Sequence, residues 1–209
     1  MAAEGGRPDT VTFAGGVLDR YRHVCAFVKS EAEADAVLDP FVQGGLDGDD
    51  RLLYLVDPAE PAVPLRRVRR LGHDPAALLD EHRLTVLTWA ETYLRTGAFD
   101  QDDMLGQLDT MLGGPAVPRI RLLADMGWAA GDPDAAVQLI EFEARANFLH
   151  ARHQHVVICA YETSRFDGAF IVDILRTHPM VLIGGILQEN PFFVPPEEFL
   201  EERVAVGRG

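Results

Sequence analysis

Cysteine is scarce: Cys25 and Cys159 are the only two in 209 residues, and each sits inside an apolar run. A structural disulfide is possible but not needed, since both thiols read as small packed hydrophobes. Lysine is scarcer still, since Lys29 is the single one and every other basic residue is arginine. Positive charge as a whole is short, with 19 Lys plus Arg against 33 Asp plus Glu and a formal charge of −14. Such a chain repels phosphate backbones, which argues against direct nucleic-acid binding. No run approaches the ~20 apolar residues of a membrane span, and Met1 to Asp9 lacks the basic and apolar regions of a signal peptide. The expected setting is cytoplasmic, with residues 1–15 as a flexible leader and 16–209 as one domain.

What is present is an alternation of short β-branched runs with longer stretches of helical period. It predicts an α/β domain of three layers, a mainly parallel sheet with helices on both faces. Six strands are expected, at His23 to Val28, Arg51 to Val56, Leu84 to Thr88, Arg119 to Met126, Val156 to Tyr161, and Val181 to Leu187 with a bulge at Gly184-Gly185. Ser30 and Glu33 form a capping box for a helix over Glu31 to Val42, ended by a glycine turn at Gly44, Gly45 and Gly48. Helices are also expected over Val63 to Leu71, Pro75 to His82 and Asp100 to Leu112, the last ended by Gly113-Gly114-Pro115. Asp132-Pro133 opens the strongest helix, Asp134 to His150, with Val137, Ile140, Ala144 and Phe148 as its inward stripe. Further helices are read over Gly168 to Thr177 and Glu197 to Glu202.

Candidate chemistry begins at His23 to Ser30, which has the frame of a G-x4-G-K-[ST] phosphate loop but carries His23 and Val28 in place of both glycines. Those glycines let backbone N–H groups turn onto phosphates, a conformation that β-branched Val28 resists. The strand Val156 to Tyr161 also lacks the magnesium-binding aspartate of an ATPase, so ATP and Mg²⁺ are not expected. Lys29 and Ser30 either begin a surface helix or hold an anion at its N-terminus.

On the first strand His23, Cys25 and Phe27 share a face. His23 and Cys25 could hold a metal or haem, although a structural His23 bonded to backbone is the plainer reading. Glu141 and Glu143 lie about 200° apart on the long helix, with Glu143 nearer the sheet and an ion pair to Arg145 or Arg121 as its ordinary role. His150, His153 and His155 beside Arg152 read as cationic capping of that helix. Trp89, Tyr93, Trp128 and Phe166 are core aromatics or pocket walls, and Arg165 follows a strand end where α/β sheets bind ligands.

His23 to Phe27, Gly44 to Leu46, Leu55 to Asp57, Glu91 to Leu94, Phe99-Asp100, Glu141 to Arg145, Cys159 to Tyr161, and His178-Pro179 through Asn190 to Phe193 together resemble the MEDS family, over roughly Gly16 to Arg203. The resemblance implies a RecA/KaiC-like fold with a degenerate phosphate loop and a role in sensing small, often apolar molecules. It also implies protein partners such as kinase-like or anti-sigma regulators. His23, Cys25, Glu91, Tyr93, Glu143, Cys159 and Tyr161 are its family-like positions.

The reading is a non-catalytic small-molecule-sensing regulatory domain, acting through a protein partner in transcriptional or stress regulation. The ligand-binding candidates are His23, Cys25, Phe27, Lys29, Ser30, Glu91, Tyr93, Glu143, Cys159, Tyr161 and Arg165. The alternatives are an enzyme or degenerate nucleotide-binding protein acting through His23 to Ser30, and an assembly protein docking through Asn190 to Val204. A homo-oligomer is compatible with each.

Overall fold

The apolar runs become strands of one seven-stranded sheet in a computed structural model that describes residues 10–113 and 118–206. The chain starts with a hairpin, β1 (Val11–Phe13) and β2 (Gly16–Leu18), and enters the sheet at β3 (His23–Val28). There follow α1 (Glu31–Leu46), β4 (Arg51–Val56), α2 (Val63–Arg70), α3 (Pro75–Asp80), β5 (Leu84–Thr88), α4 (Gln101–Leu112) and β6 (Ile120–Asp125). The second half runs through α5 (Pro133–His150), β7 (Val156–Glu162), α6 (Gly168–Thr177), β8 (Met180–Ile183), β9 (Ile186–Glu189) and α7 (Pro196–Val206).

The sheet order is β5-β4-β6-β7-β3-β8-β9, parallel throughout except for the antiparallel edge pair β8–β9. Side chains alternate across it and feed two cores. Val24, Ala26, Tyr54, Leu123 and Ile158 pack under α1, α2 and α3 on one face. Cys25, Leu55, Leu122, Cys159 and Tyr161 pack under α4, α5, α6 and α7 on the other. This is the expected three-layer architecture.

Helix starts follow local chemistry. Ser30 Oγ accepts the Glu33 N–H, and Glu33 reaches back to the Lys29 N–H at 2.7 Å. Asp132 accepts from Asp134 and Ala135 with Pro133 in the first turn of α5, and Asp167 accepts from Phe170 at the start of α6.

Several local expectations are corrected. Val11–Phe13 falls within the expected leader, but it is a strand whose Val11 and Phe13 are buried; residues 1–9 lie outside the described residues. The helix at Glu31 does not stop at Val42: Gly44 and Gly45 are helical, and their missing side chains admit Arg121. A Cβ on Gly45 would lie 3.0 Å from Arg121 Cδ, and the Arg121 guanidinium donates to the Phe41 carbonyl and to buried Asp50.

Gly184 and Gly185, both at positive φ, turn an antiparallel hairpin rather than a bulge. Helix α4 ends at Leu112 with Gly113 extended, while Gly114 and Pro115 lie outside the described residues. The inward face of α5 is rotated from the stripe expected: Val137 and Phe148 are exposed, whereas Leu139, Phe142, Glu143 and Ala146 are buried. A carboxylate occupies the centre of that buried face, and a hydrophobic pattern cannot register it.

Candidate functional site

Parallel pairing puts His23 opposite Val157, Cys25 opposite Cys159 and Phe27 opposite Tyr161. All of these odd-numbered side chains face α5, which drops Glu143 into their midst. Glu143 is 1% exposed. Its Oε1 accepts the Tyr161 hydroxyl at 2.7 Å, and its Oε2 lies 3.2 Å from His23 Nε2, 3.6 Å from His178 Nε2 and 3.8 Å from Cys159 Sγ. The Cys159 sulfur is also 3.6 Å from His23 Nε2.

The orientation of each imidazole follows from its other nitrogen. Asn147 donates its amide to the carbonyls of Glu143, Ala144 and Thr177, so its Oδ1 is left to accept from His23 Nδ1 at 3.1 Å. His178 Nδ1 lies 3.0 Å from the Ile174 carbonyl, which can only accept. Both rings therefore carry a proton on Nδ1 and aim Nε2 at Glu143. His178 Nε2 is buried and has no hydrogen-bond partner.

Burial shapes the charges. It pushes the pKa of His178 down to about 3, aided by nearby His23, so this ring is neutral. Burial alone would raise the Glu143 pKa, but the two imidazoles and the hydrogen bonds from His23 and Tyr161 outweigh it and hold the carboxyl below its ordinary range. Burial, reinforced by Glu143, lifts both thiols and the Tyr161 phenol well above their usual values. His150, its ring tilted against that of His23 at 4.6 Å between centroids, is kept neutral by burial and by its histidine neighbours.

A second feature lies at the other end of the strands. A cleft of about 300 Å³ opens at the carboxyl ends of β3, β4, β6 and β7, lined among others by Val28, Ser30, Val56, Asp125, Glu162 and Arg165. Asp125 accepts the Gly127 N–H at 2.8 Å and Arg165 donates to the Gly127 carbonyl at 3.0 Å. Burial raises the Asp125 pKa despite the Gly127 hydrogen bond and Arg165.

The eleven sequence candidates thus fall into separate places. His23, Glu143, Cys159 and Tyr161 meet in the buried cluster, with Phe27 packed on Tyr161 at 5.8 Å between centroids. Cys25 directs its thiol to the Met180 carbonyl at 3.6 Å, so the expected His23/Cys25 pair is replaced by His23 and Cys159. Ser30 and Arg165 line the cleft. Lys29 is exposed in the two-residue turn between β3 and α1. Glu91 is exposed and accepts the N–H and hydroxyl of Thr88. Tyr93 stacks on Trp128 at 4.9 Å in the aromatic core beside Phe99.

The ordinary roles expected for several residues are also revised. Glu143 pairs with neither Arg145, which binds Gln101 and Asp102, nor Arg121, which binds Asp50. His23 bonds to side chains, not to backbone. His150 cannot cap α5 by charge because it is neutral, and His155 instead accepts the Ile120 N–H and contacts the Leu112 carbonyl. His178 is absent from the sequence candidates, because a lone His before Pro179 carries no spacing signal.

The described chain is thus a mainly parallel α/β domain with a buried His, Glu and Cys cluster under one helix and an open cleft at its strand ends. The chain belongs to the MEDS family, the methanogen/methylotroph, DcmR sensory domain, whose family model matches residues 22–179. No curated protein matches it. Among the described residues no helix is long and apolar enough to cross a membrane.

Proposed function

We propose that the chain is a small-molecule-sensing regulatory domain that binds its ligand without turnover in the cleft at the strand ends and passes occupancy to a protein partner. The observation that carries this reading is the position of the cleft. After β3 and β4 the chain leaves to the α1–α3 face, whereas after β6 and β7 it leaves to the α5–α6 face, and open α/β sheets bind ligands where neighbouring connections part in this way.

The lining selects the ligand's chemistry. Val28, Leu55 and Val56 offer apolar wall, while Asp57, Asp125 and Glu162 outnumber Arg165 at the rim. Arg67 also lines the cleft but is already paired with Asp35 and Asp39. This suits a small, uncharged or cationic molecule with an apolar body and disfavours a triphosphate. At the start of α1 the Glu33 N–H is also committed to Ser30, and the Glu33 carboxylate covers the Lys29 N–H. Kinship with RecA/KaiC-type ATPases belongs to this reading, supported by the Lys29-Ser30 pair at the junction of β3 and α1. The partner is a regulatory protein of the kinase-like or anti-sigma kind, and the output is transcriptional or stress regulation.

Thermal unfolding against a panel of short alcohols, haloalkanes and amines tests the proposal. A bound ligand raises stability by RT ln(1 + [L]/Kd), about 2.7 kcal/mol at a hundredfold excess over Kd. At least one class is expected to stabilise the wild type and to lose most of that effect in Asp125→Ala, which removes a carboxylate of the lining, with ATP and Mg²⁺ giving no shift. Stabilisation by ATP alone, abolished in Lys29→Ala, would establish the nucleotide reading instead.

A further inference from the structure

The geometry points to a zinc-type divalent metal site, built from His23 Nε2, Glu143 Oε2, Cys159 Sγ and His178 Nε2. The inference is independent of the cleft and stands whether or not that cleft takes a ligand. All four donor atoms lie within 4.8 Å of one another and all four residues are buried.

The spacing is close to that of a tetrahedron. With metal bonds of about 2.0 Å to N or O and about 2.3 Å to S, tetrahedral edges are roughly 3.3 Å between N and O donors and roughly 3.5 Å from sulfur to N or O. Four of the six edges are 3.2 Å for His23 to Glu143, 3.6 Å for His178 to Glu143, 3.6 Å for Cys159 to His23 and 3.8 Å for Cys159 to Glu143.

The outer contacts are those that ligating side chains need. A ligating imidazole donates its other N–H to a carbonyl or carboxylate, which fixes the ring and frees the lone pair. His178 does so to the Ile174 carbonyl and His23 to Asn147 Oδ1, itself locked by three backbone carbonyls. Tyr161 holds the remaining carboxylate oxygen of Glu143.

The unpartnered Nε2 of His178 is the second, separate sign. A buried acceptor lone pair facing a carboxylate oxygen at 3.6 Å is two acceptors face to face, and a cation between them resolves the conflict. His23 Nε2 and Glu143 Oε2 stand 3.2 Å apart on the same side of the cluster. Entry of M²⁺ displaces the thiol proton of Cys159, because the thiolate is the ligating form.

Four protein ligands make this a closed site, of the kind that holds structure rather than performing catalysis. The ion would tie β3, β7, α5 and the end of α6 together at one point. A route to it exists: a cleft of about 540 Å³ at the opposite edge of the sheet reaches His23, between Arg22, Asn147, His150 and Pro179.

The test uses the full chain, purified without an affinity tag, stripped with chelator and titrated with Co²⁺. One Co²⁺ per chain is expected, with intense visible bands of a four-coordinate ion and a near-ultraviolet sulfur-to-cobalt charge-transfer band, both bleached by one equivalent of Zn²⁺. Cys159→Ser is expected to lose the charge-transfer band and Cys25→Ser to retain it, while His178→Gln weakens Co²⁺ binding at least about tenfold. Circular dichroism checks the fold of each variant; should Cys159→Ser not fold, the wild-type spectrum and His178→Gln decide alone. Absence of the charge-transfer band in the wild type, only the faint spectrum of hydrated Co²⁺, or a band that follows Cys25 would overturn the assignment.

Discussion

Cys25 and Cys159 are register partners on neighbouring parallel strands, with side chains on the same face of the sheet, yet their thiols keep different company. Cys25 gives its S–H to the Met180 carbonyl, while Cys159 stands beside His23 and Glu143. Burial lifts both thiols far above their ordinary pKa, so neither is a nucleophile near neutral pH. Native protein without added metal is expected to react slowly with a thiol reagent such as iodoacetamide, and urea-unfolded protein to label fully at both positions. Rapid labelling of either cysteine in the folded state would contradict this.

Tyr161 anchors the buried carboxylate. Tyr161→Phe removes its hydrogen bond to ionised Glu143 and leaves an oxygen buried without its 2.7 Å donor. The loss is expected to be about 1.5–3 kcal/mol, the range for hydrogen bonds to charged groups, read from urea unfolding curves. A change below about 0.5 kcal/mol would mean that Glu143 does not depend on the phenol.

Two helical glycines are expected to behave oppositely. A side-chain methyl on Gly106, exposed in α4, would have nothing within 4 Å, so Gly106→Ala gains helix propensity and stabilises by about 0.5–1 kcal/mol. At Gly45 the same methyl meets Arg121 Cδ and Leu52 Cδ2 at 3.0 Å, and overpacking of about 1–3 kcal/mol outweighs that gain. Thermal or chemical unfolding of the pair gives the signs, and a stabilised Gly45→Ala would show that Arg121 can shift without loss.

Asp125 makes stability depend on pH in a stated direction. Burial raises its folded pKa above the unfolded value of 3.8. Its contribution is therefore fully present below pH 3.8 and lost as pH rises through the raised folded pKa. Asp125→Asn, which keeps an acceptor for the Gly127 N–H, does not titrate. Its stability relative to wild type is expected to improve between about pH 4 and pH 7. A difference that stays constant across that window would refute the burial argument.

By itself, the sequence determined the layers and most element borders. Unbroken runs such as Leu52 to Val56 and Val156 to Tyr161 can satisfy their side chains only between two layers of helices, and Ser30, Asp132 and Asp167 cap helices with neighbours two or three residues away. The family could also be read, from short motifs spread along the chain. Residue types in the cluster were partly legible, because His23, Cys159 and Tyr161 alternate onto one face of their strands.

Tertiary structure alone decided who meets whom. Gly44 and Gly45 read locally as a turn, and only the passage of Arg121 across them explains a helix there. Glu143 read locally as a sheet-facing carboxylate paired with Arg145 or Arg121, and only the packing of α5 on β3 and β7 surrounds it with His23, Cys159, Tyr161 and His178. Its partner His23 lies 124 residues from the Asn147 that orients it. Periodicity reports a residue's face over a few turns or pleats, whereas a polar group's fate when buried depends on donors and acceptors that the chain brings back from a distance.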